Sequence, residues 1–311
     1  MGGRQGRQRP ASSNFECGVV LLQHLPLLSV EREGVRLHTR SVGSGSPLLL
    51  MHGHPQSMVM WHKVLPILAK QHTLVLMDLR GYGDSSRPKA DSQHLNHSKR
   101  EMALDAMAVM EAYGFEQFDV LAHDRGARVA HRLAIDHAHA VGRLMLLDIA
   151  PTLAMYENTT EAFARAYWHW FALIQAAPLP EALIDANPAR YVRSVMGGRF
   201  AGLAPFSPMA LAEYERCALI PGTSTSICED YRASAAVDLE HDRKDVASDN
   251  RVVQPLRVIW GEHGSVGRCF DVLSLWRERA KNVSGMALPC GHYLAEELPE
   301  AVAAEALKFF N

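Results

Sequence analysis

Short apolar runs alternate with stretches of helical spacing in the first half of this chain and again near its C-terminus. Such runs are typical of buried strands, and their alternation with helices indicates a parallel sheet that helices cover on both faces. The predicted strands are 35–42, 47–51, 73–77, 118–121, 143–147, 256–260 and 283–287. The predicted helices are 61–69, 101–113, 127–135, 272–280 and 298–310. The fold class is therefore predicted as α/β, with a mostly parallel sheet.

The alternation stops between residues 152 and 246, where prolines divide the chain into short helical stretches without a clear strand. We expect this segment to be a helical cap over the carboxyl ends of the strands, where ligands of α/β proteins bind. The core is then predicted to consist of residues 29–151 and 247–311. Residues 1–28 are predicted to be a poorly ordered extension.

Composition restricts the partners and the compartment. A chain of 311 residues with 48% hydrophobic residues can bury a large core, and a net charge of −2 favours neither nucleic acid nor an anionic membrane. No apolar stretch reaches the ~18 residues of a membrane span. Its five cysteines, at positions 17, 217, 228, 269 and 290, are scattered and indicate reduced thiols in a cytoplasmic protein. We expect a small-molecule partner and neither a metal nor a cofactor.

The pentapeptide Ala122-His123-Asp124-Arg125-Gly126 lies between a predicted strand and a predicted helix. Small residues at both ends of such a segment are typical of a tight turn that exposes a nucleophile. A carboxylate suits attack on a saturated carbon that bears a leaving group, so the turn indicates a dehalogenase or an epoxide hydrolase rather than an esterase. Aspartate is also common as a helix cap, and the pentapeptide alone leaves both roles open.

A carboxylate nucleophile needs a base for the second step and an acid that orients this base. His292 follows the last predicted strand and is the predicted base. For the orienting acid, Asp148 at the end of strand 143–147 is preferred and Glu262 is the alternative.

Two backbone N–H groups are predicted to form an oxyanion hole, namely those of His54 and Arg125. The side chains of Arg125 and Arg128 lie on one face of the predicted helix, and arginine suits bidentate binding of a carboxylate. This pattern favours a small anionic substrate. The alternative is that one or both arginines pair with structural acids such as Asp105 or Asp136.

From about residue 30 to its end, the chain resembles the haloacetate and fluoroacetate dehalogenase branch of the α/β-hydrolase fold. The motifs that carry the resemblance are His52-Gly53-x-Pro55-Gln56, Met60-Trp61-His62, Asp78-Leu79-Arg80-Gly81-Tyr82-Gly83, His123-Asp124-Arg125-Gly126-Ala127-Arg128, Leu147-Asp148-Ile149-Ala150-Pro151, Trp168-His169-Trp170, Pro178-Leu179-Pro180-Glu181, Cys228-Glu229-Asp230-Tyr231-Arg232 and Gly291-His292-Tyr293.

The resemblance implies that Asp124 is the nucleophile, His292 the base and Asp148 its partner, while Arg125 and Arg128 hold the substrate carboxylate. It also implies a homodimer.

Three further residues are assigned a role by the resemblance alone. His169, Trp170 and Tyr231 match the family's residues that donate hydrogen bonds to the departing halide. His54 departs from the aromatic residue expected in the oxyanion loop, and its side chain is expected only to line the pocket.

The sequence thus predicts a hydrolytic dehalogenase that converts a haloacetate to glycolate and halide through an ester on Asp124. An epoxide hydrolase with the same three residues is the nearest alternative, since the cap is rich in tyrosine. A small-acid receptor built on a hydrolase frame is a third, non-enzymatic alternative.

Overall fold

A single eight-stranded sheet organises the chain in the computed structural model, which describes residues 22–311. The strand order is β1-β2-β4-β3-β5-β6-β7-β8, and all pairs from β4 to β8 are parallel. The strands are β1 (Leu27–Arg32), β2 (Val35–Gly43), β3 (Ser46–Met51), β4 (His72–Met77), β5 (Phe118–His123), β6 (Val141–Leu147), β7 (Val252–Gly261) and β8 (Ala280–Leu288). The prediction of a mostly parallel sheet is confirmed.

The α-helices of the described residues fall into two groups, and two short 3-10 helices, Met58–Trp61 and Leu95–His97, lie in core loops. Those of the core are α1 (Leu65–Leu68), α2 (Lys99–Ala112), α3 (Asp124–Asp136), α12 (Ser265–Cys269), α13 (Val272–Arg277), α14 (Leu294–Glu297) and α15 (Pro299–Phe310). Those between β6 and β7 are α4 (Thr152–Glu157), α5 (Glu161–Ala166), α6 (Trp168–Leu173), α7 (Leu179–Asp185), α8 (Pro188–Gly197), α9 (Pro208–Ala218), α10 (Thr223–Ala235) and α11 (Val237–Ala247). Over residues 22–311, the structure contains no helix with the length and apolarity that a membrane crossing requires.

The central strands are apolar on both faces because helices cover both. Leu49 and Met51 of β3 belong to a core cluster with α2 and α3, while Leu48 and Leu50 belong to a second cluster with α15. Successive side chains of a strand point to opposite faces, so an unbroken apolar run contributes side chains to both clusters. This explains why the central strands were predictable as short apolar runs.

The first strand was not predicted. β1 (Leu27–Arg32) pairs antiparallel with β2 and begins within the segment that was assigned to an N-terminal extension. Glu33 and Gly34, which connect the two strands, both have positive φ, as a two-residue hairpin turn requires. Of the proposed extension, residues 1–21 lie outside the described part of the chain, and Cys17 lies there too; the four described cysteines are free.

The helical segment α4–α11 lies over the carboxyl ends of β3, β5 and β6. Contacts between this segment and the core include those of Arg125 with Asp230, Arg128 with Thr152 and His54 with Tyr191. We therefore describe α4–α11 as the cap. Loops from several core strands meet beneath it, because the carboxyl ends of parallel strands lie at one edge of a sheet.

Candidate active site

Asp124 lies at the sharp turn between β5 and α3. Its φ is +45°, a strained value for a residue with a side chain. The turn approaches the loop after β3 so closely that a Cβ atom on Gly126 would lie 2.4 Å from the carbonyl oxygen of His52. A Cβ atom on Gly53 would likewise lie 2.4 Å from Cβ of Asp124. Both glycines are thus required for the close approach that presents the carboxylate.

His292 and Asp148 lie beside this carboxylate. Nδ1 of His292 is 2.6 Å from Oδ2 of Asp148, and its Nε2 is 3.9 Å from Oδ2 of Asp124. Asp148 also accepts a hydrogen bond of 2.9 Å from the backbone N–H of Gly261, which fixes its carboxylate. Glu262, the alternative orienting acid, is exposed, so the structure brings only Asp148 into contact with His292.

The environment of Asp124 favours its ionised form. Burial raises the pKa of Asp124, but the imidazole of His292 and the guanidinium groups of the two nearby arginines outweigh this effect and hold the pKa well below its usual range. The backbone N–H of His54 donates to Oδ1 of Asp124 at 2.9 Å. Arg125 follows at the start of α3, where N–H groups have no partner within the helix. Of the two predicted oxyanion donors, the N–H of His54 thus contacts the carboxylate, and the N–H of Arg125 belongs to the next residue of the chain.

Arg125 pairs with an acid that the sequence analysis did not consider. Its Nε and Nη2 lie 2.8 Å from the two carboxylate oxygens of Asp230, and Nη2 also donates to Ser234. The acids named as alternatives pair elsewhere: Asp105 with Arg80, and Asp136 with Arg100 and Arg132. Of the guanidinium nitrogens of Arg125, only Nη1 is buried without a hydrogen-bond partner within residues 22–311. This nitrogen is the part of Arg125 that remains for a ligand.

Arg128 has no acidic partner in the described residues. Its Nη1 donates to the hydroxyl of Thr152 and to the carbonyl of Ala150, and its Nε is buried without a partner. Burial and the neighbouring charge of Arg125 lower its pKa. Burying an unpaired cation is costly, and an anion bound at this site would offset the cost.

The three residues that match the halide donors lie together in the cap. His169 and Trp170 are on α6 and Tyr231 is on α10; the centroids of the His169 and Tyr231 rings are 5.9 Å apart. Nε1 of Trp170 and the hydroxyl of Tyr231 are buried and have no partner in the described residues. Arg128 lies 4.6 Å over the Trp170 ring, and Arg125 lies 4.2 Å over the Tyr231 ring.

Sequence reasoning gave three residues of this region no role in a dehalogenase site, although Tyr191 was among the cap tyrosines that left an epoxide hydrolase open. Asp230 accepts hydrogen bonds from Arg125, from Lys99 and from the hydroxyl of Tyr82, and it is fully buried. Arg199 lies 4.7 Å over the ring of Tyr167 and has no acidic partner within residues 22–311. Tyr191 shares a hydrogen bond of 3.0 Å with Nε2 of His54. Asp230 precedes Tyr231 in a motif of the resemblance, and this position could have indicated that it lies at the site. The sequence pattern of the cap contains no such signal for Arg199 or for a contact of Tyr191 with His54.

One group of potential metal ligands occurs elsewhere in the described residues. Side-chain atoms of His38, Asp78 and Asp84 lie within 4.8 Å of one another. Asp78 already accepts backbone N–H groups, including that of Met58, and Asp84 pairs with Arg216 at 2.9 Å. Because these carboxylates already have partners, we assign no metal to this group.

An aspartate on a strand-to-helix turn, beneath a helical cap and beside a His–Asp pair, is the arrangement of an α/β hydrolase. A family model described as alpha/beta hydrolase fold matches residues 46–198. A solved structure of an α/β hydrolase from Nostoc sp PCC 7120 superposes with a TM-score of 0.90 at 51% identity, covering 93% of this chain and 99% of that one.

Two curated relatives indicate the branch of the α/β-hydrolase fold to which the chain belongs. The chain is 40% identical to a fluoroacetate dehalogenase from Burkholderia sp over 86% of this chain and 88% of the relative. It is 35% identical to a soluble epoxide hydrolase from Corynebacterium sp. (strain C12) over 89% of this chain and 94% of that relative. The protein belongs to the haloacetate dehalogenase family of the α/β-hydrolase fold, as the sequence motifs predicted.

Proposed function

We propose that this hydrolase converts short 2-haloacids, such as haloacetates, to 2-hydroxyacids and halide. The observation that carries the proposal is the position of the ionised Asp124 carboxylate, 3.9 Å from Nε2 of His292 and beside the unpartnered nitrogens of Arg125 and Arg128. The similarity to a fluoroacetate dehalogenase over most of the chain supports the same substrate class.

In the first step, the substrate carboxylate binds Arg128 and Nη1 of Arg125, which places its α-carbon against Asp124. An oxygen of Asp124 attacks this carbon from the side opposite the halogen, and the carbon–halogen bond breaks with its electron pair going to the halide. The donors of His169, Trp170 and Tyr231 would stabilise the charge that develops on the departing halide. The product of this step is an ester on Asp124.

In the second step, His292 takes a proton from a water molecule that attacks the carboxyl carbon of the ester. Asp148 holds the imidazole through its Nδ1–H and stabilises the imidazolium that forms. The N–H groups of His54 and Arg125 would stabilise the tetrahedral oxyanion. Collapse of this intermediate releases the 2-hydroxyacid, which takes the proton from His292, and leaves Asp124 protonated. Loss of this second proton of the water molecule to solvent restores the carboxylate of Asp124.

A single turnover in ¹⁸O-water tests this covalent route. With enzyme in excess over chloroacetate, mass spectrometry should find the label in the peptide that contains Asp124 and not in the first glycolate released. Asp124→Asn should abolish halide release, while Asp249→Asn at an exposed position should not change it. Label that enters glycolate first would contradict the ester intermediate.

An epoxide hydrolase is the second candidate, because one relative carries that activity and the cap offers suitable acids. The hydroxyls of Tyr156 and Tyr231 are buried without a partner in residues 22–311, and a tyrosine is the group that would protonate an opening epoxide. Against it, Arg128 would remain an unpaired cation beside a neutral epoxide. Diol formation from styrene oxide without halide release from haloacetates would favour this candidate, and turnover of either substrate would exclude a receptor.

A further inference from the structure

His54 occupies an unusual position for a histidine that only lines a pocket. Its backbone N–H donates to Asp124, and the residue is only 3% exposed. The ring lies beside two of the proposed halide donors: its centroid is 6.3 Å from that of His169, nearly parallel, and 5.5 Å from that of Tyr231, nearly perpendicular, while those two centroids are 5.9 Å apart. The imidazole is therefore part of the wall that surrounds the leaving group.

The hydrogen bond between His54 and Tyr191 is the basis on which we assign the proton of the His54 ring. Nε2 of His54 is 3.0 Å from the hydroxyl of Tyr191, for which no other hydrogen bond is present within residues 22–311. A phenol O–H is a good donor and a neutral imidazole nitrogen a good acceptor, so we assign Nε2 as the acceptor. Burial lowers the pKa of His54 to about 3, which keeps the ring neutral. The single ring proton is then on Nδ1.

Nδ1 of His54 is buried and has no hydrogen-bond partner within residues 22–311. A buried N–H without a partner carries a desolvation cost, which a ligand that accepts its hydrogen bond would remove. The halide that leaves the substrate is such an acceptor, and it develops its charge beside this part of the pocket wall.

We propose that the Nδ1–H group of His54, oriented by Tyr191, is a further hydrogen-bond donor to the departing halide and sets which carbon–halogen bond the enzyme prefers. This inference rests on the proposed dehalogenase function. Fluoride concentrates its charge most strongly and is the halide that gains most from a hydrogen-bond donor. The contribution of His54 should therefore increase from bromide through chloride to fluoride.

The test compares kcat/KM for fluoroacetate, chloroacetate and bromoacetate in the wild type and in His54→Phe. Phenylalanine keeps an aromatic ring and the backbone donor to Asp124 but removes Nδ1–H. Loss of one donor to a developing anion is expected to cost about 10²-fold with fluoroacetate. The loss with bromoacetate should be at least 10-fold smaller. Tyr191→Phe, which removes only the hydroxyl that orients the ring, should change the ranking in the same direction by a smaller factor.

His72→Phe is the matched control, since His72 is equally buried but lies at the opposite end of the sheet, at the start of β4. This variant should leave the ranking of the three substrates unchanged, and thermal midpoints should show that all variants are folded. Equal losses on all three substrates in His54→Phe would mean a purely structural role and would overturn the inference, as would no loss at all.

A binding measurement separates this inference from the dehalogenase proposal. Fluoride and chloride are titrated against the protein at constant ionic strength, with tryptophan fluorescence as the readout. We expect His54→Phe to weaken fluoride binding more than chloride binding. A wild type that binds fluoride through His54 but releases no halide from any haloacetate would overturn the proposed function and support the donor role. Fluoride binding unaffected by the substitution would overturn the donor role, whatever the activity.

Discussion

The substitution Asp230→Asn provides the sharpest test of how the arginines of the site are held. Asp230 accepts hydrogen bonds from Arg125 at 2.8 Å and from the ammonium group of Lys99, and neither its carboxylate nor the guanidinium of Arg125 is exposed. Burial raises the pKa of Asp230, but the charges on Arg125 and Lys99 outweigh this effect and hold it below its usual range. Asparagine keeps the shape of the side chain and removes its charge.

Removing one partner of a buried ion pair costs ~3–5 kcal/mol, because the remaining charge stays buried without compensation. Here one carboxylate serves two cations, so we expect a loss near the upper end, ~5 kcal/mol. That is a large share of the ~5–15 kcal/mol by which a typical domain is stable. The exposed pair of Asp249 with Arg251 is the control, and Asp249→Asn should change stability by less than ~1 kcal/mol.

Urea unfolding of the wild type and both variants would measure these differences in the free energy of unfolding. Adding Lys99→Met to Asp230→Asn should recover part of the loss, because one of the two uncompensated cations is removed. The KM for haloacetates should also rise in Asp230→Asn, since Arg125 is no longer held with Nη1 towards the site. A loss below ~1 kcal/mol for Asp230→Asn would refute the argument that this carboxylate is the main counter-charge.

Three other predictions test the geometry and the charges. Gly53→Ala should reduce halide release at least ~10²-fold, because the new Cβ collides with the Asp124 side chain; an active variant would show that the approach is not needed. Asp148→Asn should lower kcat by ~10⁴-fold while Glu262→Gln leaves it unchanged, and the reverse pattern would reassign the orienting acid. Burial raises the pKa of Glu296 to about 7, although the hydroxyl of Tyr214 and the ammonium group of Lys63 act in the opposite direction. Between pH 4.5 and about 7 the folded state therefore binds a proton that the unfolded state has lost. The contribution of Glu296 to the free energy of unfolding falls as the pH rises through this range. Glu296→Gln should remove that fall, and parallel unfolding-versus-pH curves for the two proteins would contradict it.

The local sequence pattern was sufficient to predict the parallel part of the sheet. The runs in β3, β4, β5 and β6 are apolar at consecutive positions because both faces of these strands are covered, and the prolines of residues 152–246 indicate where the strands stop. β1 escaped prediction because its outer residues are partly exposed, so its apolar pattern is weak. The available sequence signal was the pair Glu33-Gly34, which has positive φ at both residues in the structure, but Glu-Gly is less distinctive of a hairpin turn than Asn-Gly.

The sequence by itself also determined which residues meet beneath the cap. Asp124, Asp148 and His292 each follow a strand of one parallel sheet, and this common placement brings them to the same edge without further information. Their roles as nucleophile, orienting acid and base remain predictions that the experiments above test.

Only the tertiary structure decided how the charges of the site are distributed. Arg125 is bound by Asp230, more than 100 residues away in the chain, whereas Arg128 remains without an acid in the described residues. Hydrogen bonding of His54 to Tyr191 was equally invisible in the sequence. Such pairs depend on how the cap helices lie over the sheet. Local periodicity in the sequence does not predict this placement, because it is set by packing between segments that are distant in the chain.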